Sequence, residues 1–170
     1  MYTCRTCELT KRRDSGEAPS WDAILRTRHW DVAHADDTSL EGWTILVLRR
    51  HVESLADIND EEAAELGPLI KSVSRALAEV LACTKTYVAQ FAEDPLHHHV
   101  HFHVIPKSAH HPEELLGLHV FACLGVPEGE RVPEGRMNEI GSAMARGLNV
   151  GHPRQHPSER EDFATTVGSG

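Results

Sequence analysis

The sequence predicts an α+β domain, an antiparallel sheet of about five strands with one long helix and a C-terminal helix. Three observations lead there. Short apolar or β-branched runs at 23–25, 30–34, 44–48, 87–91 and 100–105 read as strands. Between the third and fourth lies a long stretch whose apolar residues recur at steps of three and four. A length of 170 residues, 40% of them hydrophobic and 25% charged, suits a single compact core.

Taken in order, residues 1–20 hold Cys4-Arg5-Thr6-Cys7 and then a polar stretch with turn formers and no apolar period, so a loop is expected there. The runs at 23–25 and 30–34, separated by Arg26-Thr27-Arg28, form a hairpin. Residues 44–48, Thr-Ile-Leu-Val-Leu after the turn former Gly42, make a buried strand. Asn59 or Asp60 caps the long helix, with acids in its first turn and Leu66, Leu69, Ile70, Val73, Leu77, Val80 and Leu81 on its apolar stripe. Gly67-Pro68 is a place where that helix could bend. Glu93-Asp94-Pro95 supplies turn chemistry between the last two strands. Residues 107–133 give little guidance, a final helix runs from about 134 to 148, and 149–170 are polar enough to be a disordered tail.

Lys and Arg number 17 against 26 Asp and Glu, a formal charge of −9 with no basic cluster, which argues against binding a nucleic-acid backbone. No apolar run approaches the ~20 residues that cross a bilayer. The start is too polar for a secretory signal, and the four cysteines include one recognisable pair, Cys4-x-x-Cys7, so thiolate or metal chemistry in the cytoplasm is expected. Cys83 and Cys123 read as ordinary buried residues.

Thirteen histidines are the unusual feature. In His99-Val100-His101-Phe102-His103-Val104-Ile105, strand alternation places the three imidazoles on one face and the apolar side chains on the other. Three adjacent imidazoles make poor core filler, because each buried ring nitrogen needs a partner. Nucleophile, proton donor and metal ligand all remain open for such a row, although no His-Glu-x-x-His helix accompanies it.

This run, followed by Pro106-Lys107, resembles the histidine-triad signature, His-φ-His-φ-His-φ-φ, without a mismatch. Gly42 to His51, a strand leading into the basic pair Arg49-Arg50 and a histidine, is similar to the same family, and Cys4-x-x-Cys7 matches its zinc-bearing subgroup. The resemblance implies a HIT-like domain over 1–148, with 1–20 a zinc-anchored N-terminal segment. It implies a homodimer, and an enzyme in which His101 attacks the α-phosphorus of a nucleotide while His103 contacts the phosphate oxygens. It further implies a structural Zn²⁺ held by Cys4, Cys7, His51 and His99.

The sequence departs from the family pattern at Trp43, where a histidine is usual, at Ala35, where an Asp or Asn holds ribose, and at Pro95 and Leu96, where Gln and Ser/Thr touch phosphate. His34 or Asp36 is expected to replace the ribose acid. Lys107, Arg49, Arg50 and His98 are the remaining groups to offset phosphate charge, His98 facing away if the strand is regular. The expected activity is hydrolysis of a nucleoside phosphoramidate, dinucleoside polyphosphate or adenylylated compound. The alternatives are a zinc-binding regulatory or interaction module with weakened chemistry, and a HIT enzyme reused for specialised lyase or hydrolase chemistry.

Overall fold

The structure is a computed structural model and describes residues 4–151. Its strands are β1 (Leu25–Arg26), β2 (Trp30–His34), β3 (Thr44–Leu48), β4 (Lys85–Ala89) and β5 (His101–Lys107), and its helices α1 (Arg5–Asp14), α2 (Asp60–Leu81) and α3 (Glu134–Gly151). The strands form one sheet in the order β1-β2-β3-β5-β4, antiparallel at every pair. No described helix is long and apolar enough to cross a membrane.

The sheet uses its two faces differently. Trp30, Val32, Leu46, Leu48, Phe102 and Val104 point to one side, where Leu69, Val73 and Leu77 of α2 and Ile140 and Met144 of α3 close a dry core. Strand alternation sends His101, His103 and Ile105 to the other side. There a smaller cluster of Trp43, Ile105, Val120 and Cys123 packs under Phe121. Pro106 is tolerated because the β3 ladder ends at Thr44↔Val104, leaving β5 with only β4 as a neighbour at that point.

α2 begins as its sequence demands. Asn59 accepts from the Glu62 N–H at 2.9 Å, and the Glu62 carboxylate accepts from the Asn59 N–H at 2.9 Å, a reciprocal capping box. The helix then runs unbroken through Gly67-Pro68. Gly42, at φ +80°, lies so close to α2 that an added Cβ would sit 2.2 Å from Leu81 Cδ1. Only glycine suits that turn.

Residues 5–14 correct the expectation of a loop over 1–20, since they form α1. Apolar periodicity misses this helix because charged and hydroxyl groups fasten it. Arg13 donates from Nη2 to Asp22 Oδ1 at 2.6 Å and from Nε to the Asp22 carbonyl at 2.8 Å, Arg12 pairs with the other Asp22 oxygen, and Thr6 and Thr10 are buried beneath. Glu8 in the first turn and Lys11, Arg12 and Arg13 in the last complement the helix dipole. α3 extends to Gly151, three residues past the expected boundary at 148, and the tail expected beyond it lies outside the described residues from 152 onward.

Candidate active site and metal cluster

β5 pairs with β3 in a register that sets His103 opposite Ile45 and His101 opposite Val47. Both histidines therefore face a cavity of about 270 Å³, floored by Ala33, Ile45 and Val47, walled by Thr6 and Leu9 of α1, and closed by Phe91 and Phe121. That volume is near the lower end for small-ligand sites. The His101 and His103 ring centroids are 5.0 Å apart.

His101 Nδ1 donates to the His99 carbonyl at 2.7 Å. A neutral ring so bonded carries its proton on Nδ1 and leaves a bare lone pair on Nε2, the form a nucleophile needs. Burial holds His101 below the usual histidine range, although the His99 carbonyl works the other way. Burial, and then the neighbouring His101, push His103 down to about 3. Its Nδ1 accepts from the Trp43 indole N–H at 3.0 Å.

The other expected substrate contacts fare unevenly. His34 lines the cavity, but its Nδ1 donates to the Ala35 carbonyl at 2.6 Å and its Nε2 accepts from the Gly42 N–H at 2.8 Å. With both nitrogens so bonded, His34 supplies a wall of the cavity and ties the β2–β3 connection. Asp36 lines the cavity half-exposed, 3.8 Å from Arg5. Lys107 does not line it; it sits opposite Lys85 at the far end of β5, with Nζ 3.4 Å from the Ser108 carbonyl. Arg50 grips Glu62 through two bonds of 2.9 and 2.8 Å, and Arg49 donates to the Thr27 and Arg28 carbonyls, so neither basic side chain reaches the cavity. His98 faces Glu53 on the outside.

Sequence reasoning gave no role to His97, Phe91 or Phe121. His97 lines the cavity with its Nδ1 hydrogen bonded to Thr6 Oγ1 at 2.9 Å. Phe121 packs edge-on to His103 at 5.3 Å and to Trp43 at 5.2 Å. Phe121 sits on a short 3-10 helix, Gly117–Cys123, in the stretch over 107–133 that offered little guidance. His97 lies in a connecting segment, and Phe91, expected at the end of a strand over 87–91, falls beyond β4, which ends at Ala89.

At the start of α1 and just ahead of β5, Cys4, Cys7, His51 and His99 converge, their four ligand atoms all within 4.8 Å of one another. Cys7 Sγ is 3.2 Å from His51 Nδ1 and 3.5 Å from His99 Nδ1, Cys4 Sγ is 3.7 Å from His99 Nδ1, and the two Nδ1 atoms are 3.3 Å apart. Those are close to the edges of a tetrahedron with metal–nitrogen bonds of about 2.0 Å and metal–sulfur bonds of about 2.3 Å. His99 Nε2 donates to the Leu48 carbonyl at 2.5 Å and His51 Nε2 to Glu53 at 3.4 Å, so both rings aim bare Nδ1 lone pairs at the centre. Two facing lone pairs repel unless a cation lies between them, and the donor set fits a metal ion.

Paired cavity-facing imidazoles on a central antiparallel strand, backed by this cluster, define the histidine-triad class. A family model described as the HIT domain matches residues 16–110, and the chain belongs to that family. It is 32% identical over 125 residues to the adenosine 5'-monophosphoramidase hnt1 of Schizosaccharomyces pombe, covering 69% of this chain and 81% of that protein. Among solved structures it is similar to a zinc-bound histidine triad family protein from Mycobacterium smegmatis (TM-score 0.60, 20% identity, 86% of this chain and 94% of that one). It also resembles the Plasmodium falciparum diadenosine triphosphate hydrolase (TM-score 0.57, 15% identity, 75% and 76%).

Proposed function

We propose that the chain is a HIT-type nucleotide hydrolase that cleaves a nucleoside phosphoramidate through a nucleotidyl-His101 intermediate. The observation that carries this reading is the His101 ring, locked by the His99 carbonyl so that Nε2 offers its lone pair to the cavity. In the first step Nε2 bonds to phosphorus while the phosphorus–nitrogen bond breaks and the amine leaves with a proton taken from solvent. Water then attacks the same phosphorus and gives up a proton to solvent, the His101–phosphorus bond breaks, and the nucleoside monophosphate departs. His103 donates from Nε2 to a phosphate oxygen in both steps, and Asp36 is positioned to accept from ribose. The fission yeast relative, an adenosine phosphoramidase by name, supports adenine as the base.

Charge favours a phosphoramidate over a dinucleoside polyphosphate. Asp36, Asp37, Glu93 and Asp94 line the cavity, and its one lining Arg or Lys among the described residues, Arg13, is already paired with Asp22. A substrate with a single phosphate charge enters that field at less cost than one with several.

Zn²⁺ is the ion proposed for the cluster, because two thiolates and two imidazoles suit a closed tetrahedral site. It would hold α1 against β5 and leave no open position for chemistry. We also propose a cytoplasmic homodimer; the edge of β4, unpaired among the described residues, and the exposed Val88 and Phe91 near it support the dimer, which light scattering tests.

The deciding experiment incubates wild type and His101→Ala with adenosine phosphoramidates and diadenosine polyphosphates, following nucleotide release. Intact mass under non-acidic quench should show a nucleotidyl adduct on wild type alone. Equal release by both proteins ends the hydrolase reading.

A further inference from the structure

At the entrance to β3 a tryptophan donates to the third triad histidine. The Trp43 Nε1 to His103 Nδ1 distance is 3.0 Å, both side chains are buried, and among the described residues His103 is the only partner of that indole N–H. We infer that Trp43 is a positioning residue that fixes His103 as its Nε2–H tautomer, so that the ring serves the substrate only as a hydrogen-bond donor.

The chemistry of the pair allows no other arrangement. An indole nitrogen donates and never accepts, so the ring nitrogen it meets must carry a lone pair. A neutral imidazole with a bare Nδ1 has its proton on Nε2, and burial together with His101 keeps this imidazole neutral. The ring is held against rotation as well. Trp43 stands edge-on to it at 89° with centroids 5.7 Å apart, and Phe121 packs at 84° and 5.3 Å. Turning the ring over would leave a buried indole N–H without an acceptor.

The two cavity histidines thus receive opposite polarities from opposite kinds of partner. A carbonyl acceptor on Nδ1 makes His101 Nε2 a lone pair, whereas an N–H donor on Nδ1 makes His103 Nε2 a proton carrier. A histidine in place of Trp43 could accept as well as donate and pass a proton onward. Tryptophan cannot, so no proton leaves the site through His103 Nδ1, and the departing amine takes its proton by another route. This inference rests on the proposed hydrolase only for the role of the donor. The tautomer itself is independent of it.

Long-range ¹H–¹⁵N spectra of ¹⁵N-histidine-labelled protein test the tautomer directly. Wild type should show His103 with the proton on Nε2 and His101 with the proton on Nδ1. Replacing Trp43 with benzothienylalanine removes the N–H while keeping the ring shape, and Trp43→Phe is a second variant. In both, His103 should lose its single tautomer, and kcat on an adenosine phosphoramidate should fall at least about tenfold with KM changed less than about threefold. A wild-type spectrum with the proton on His103 Nδ1 overturns the inference, even if both variants fail to fold. So does a folded variant that keeps the Nε2–H tautomer. If wild type shows the expected tautomer but releases no nucleotide, the hydrolase falls and the lock stands.

Discussion

The backbone carbonyl of His99 accepts the Nδ1–H of His101 at 2.7 Å while the His99 side chain faces Cys4, Cys7 and His51. One residue thereby serves two sites. Its ring belongs to the Cys4, Cys7, His51 and His99 cluster and its carbonyl sets which nitrogen of His101 is free. The position of the His101 ring is mechanically linked to the N-terminal helix.

Metal removal should therefore act on the cavity as well as on stability. Chelation, or Cys4→Ser, frees the start of α1, which carries Thr6 and Leu9 into the cavity wall. The expected result is a lower Tm and a raised KM for an adenosine phosphoramidate, with about one zinc per chain in wild type and little in the variant. Elemental analysis and thermal unfolding check it. A zinc-free wild type with unchanged Tm contradicts it.

The other end of α1 is fastened by Asp22, whose side chain is 1% exposed against 5% for Arg13. Asp22→Ala leaves a buried guanidinium without its main partner, and losses of this kind run to about 3–5 kcal/mol. Urea unfolding at neutral pH should show a drop of that order. Arg12→Ala, whose partner keeps Arg13 and whose own side chain is 39% exposed, should cost much less.

The contrast between those two ends explains what could be read from the sequence. Strand and helix periodicities gave the sheet and α2, because their apolar faces are buried against each other. The Cys4, Cys7, His51 and His99 set was legible from motif resemblance. α1 was not, since ion pairs replace an apolar stripe there. Alternation along β5 showed which face Lys107 shares but not that the cavity ends near His101 and His103. The hydrogen bond that occupies His34 Nε2 comes from the Gly42 N–H, which reaches it only when the turn has formed. Trp43 read as a missing histidine, and only geometry gives it a partner.

Acid should destabilise the fold through His103. Its pKa in the folded chain is about 3 against an ordinary value of 6.5, so below pH 6.5 the unfolded chain binds a proton that the folded chain refuses. Stability is complete above 6.5 and falls as pH drops toward 3, by on the order of 1.4 kcal/mol per pH unit from this residue. His34 and His101, also lowered chiefly by burial, act in the same direction. Urea midpoints between pH 7 and 5 should fall in wild type and fall less steeply in His103→Gln.

The acidic cavity mouth predicts how substrate choice can be moved. Glu93 and Asp37 line it without an ion-pair partner among the described residues, so neutralising both removes two like charges that a polyphosphate must approach. At effective dielectrics near that of water a charge pair about 4 Å apart is worth roughly 1 kcal/mol, and less where salt screens it. Glu93→Gln with Asp37→Asn should therefore raise kcat/KM for diadenosine tetraphosphate several-fold at low salt, about fivefold per charge at most. The phosphoramidate, carrying fewer negative charges, should gain less. Because added salt screens the wild-type mouth directly, the gap between variant and wild type should close as ionic strength rises. A gain that persists at high salt would mean the substitutions act through shape, and the charge argument for phosphoramidate over polyphosphate would fail with it.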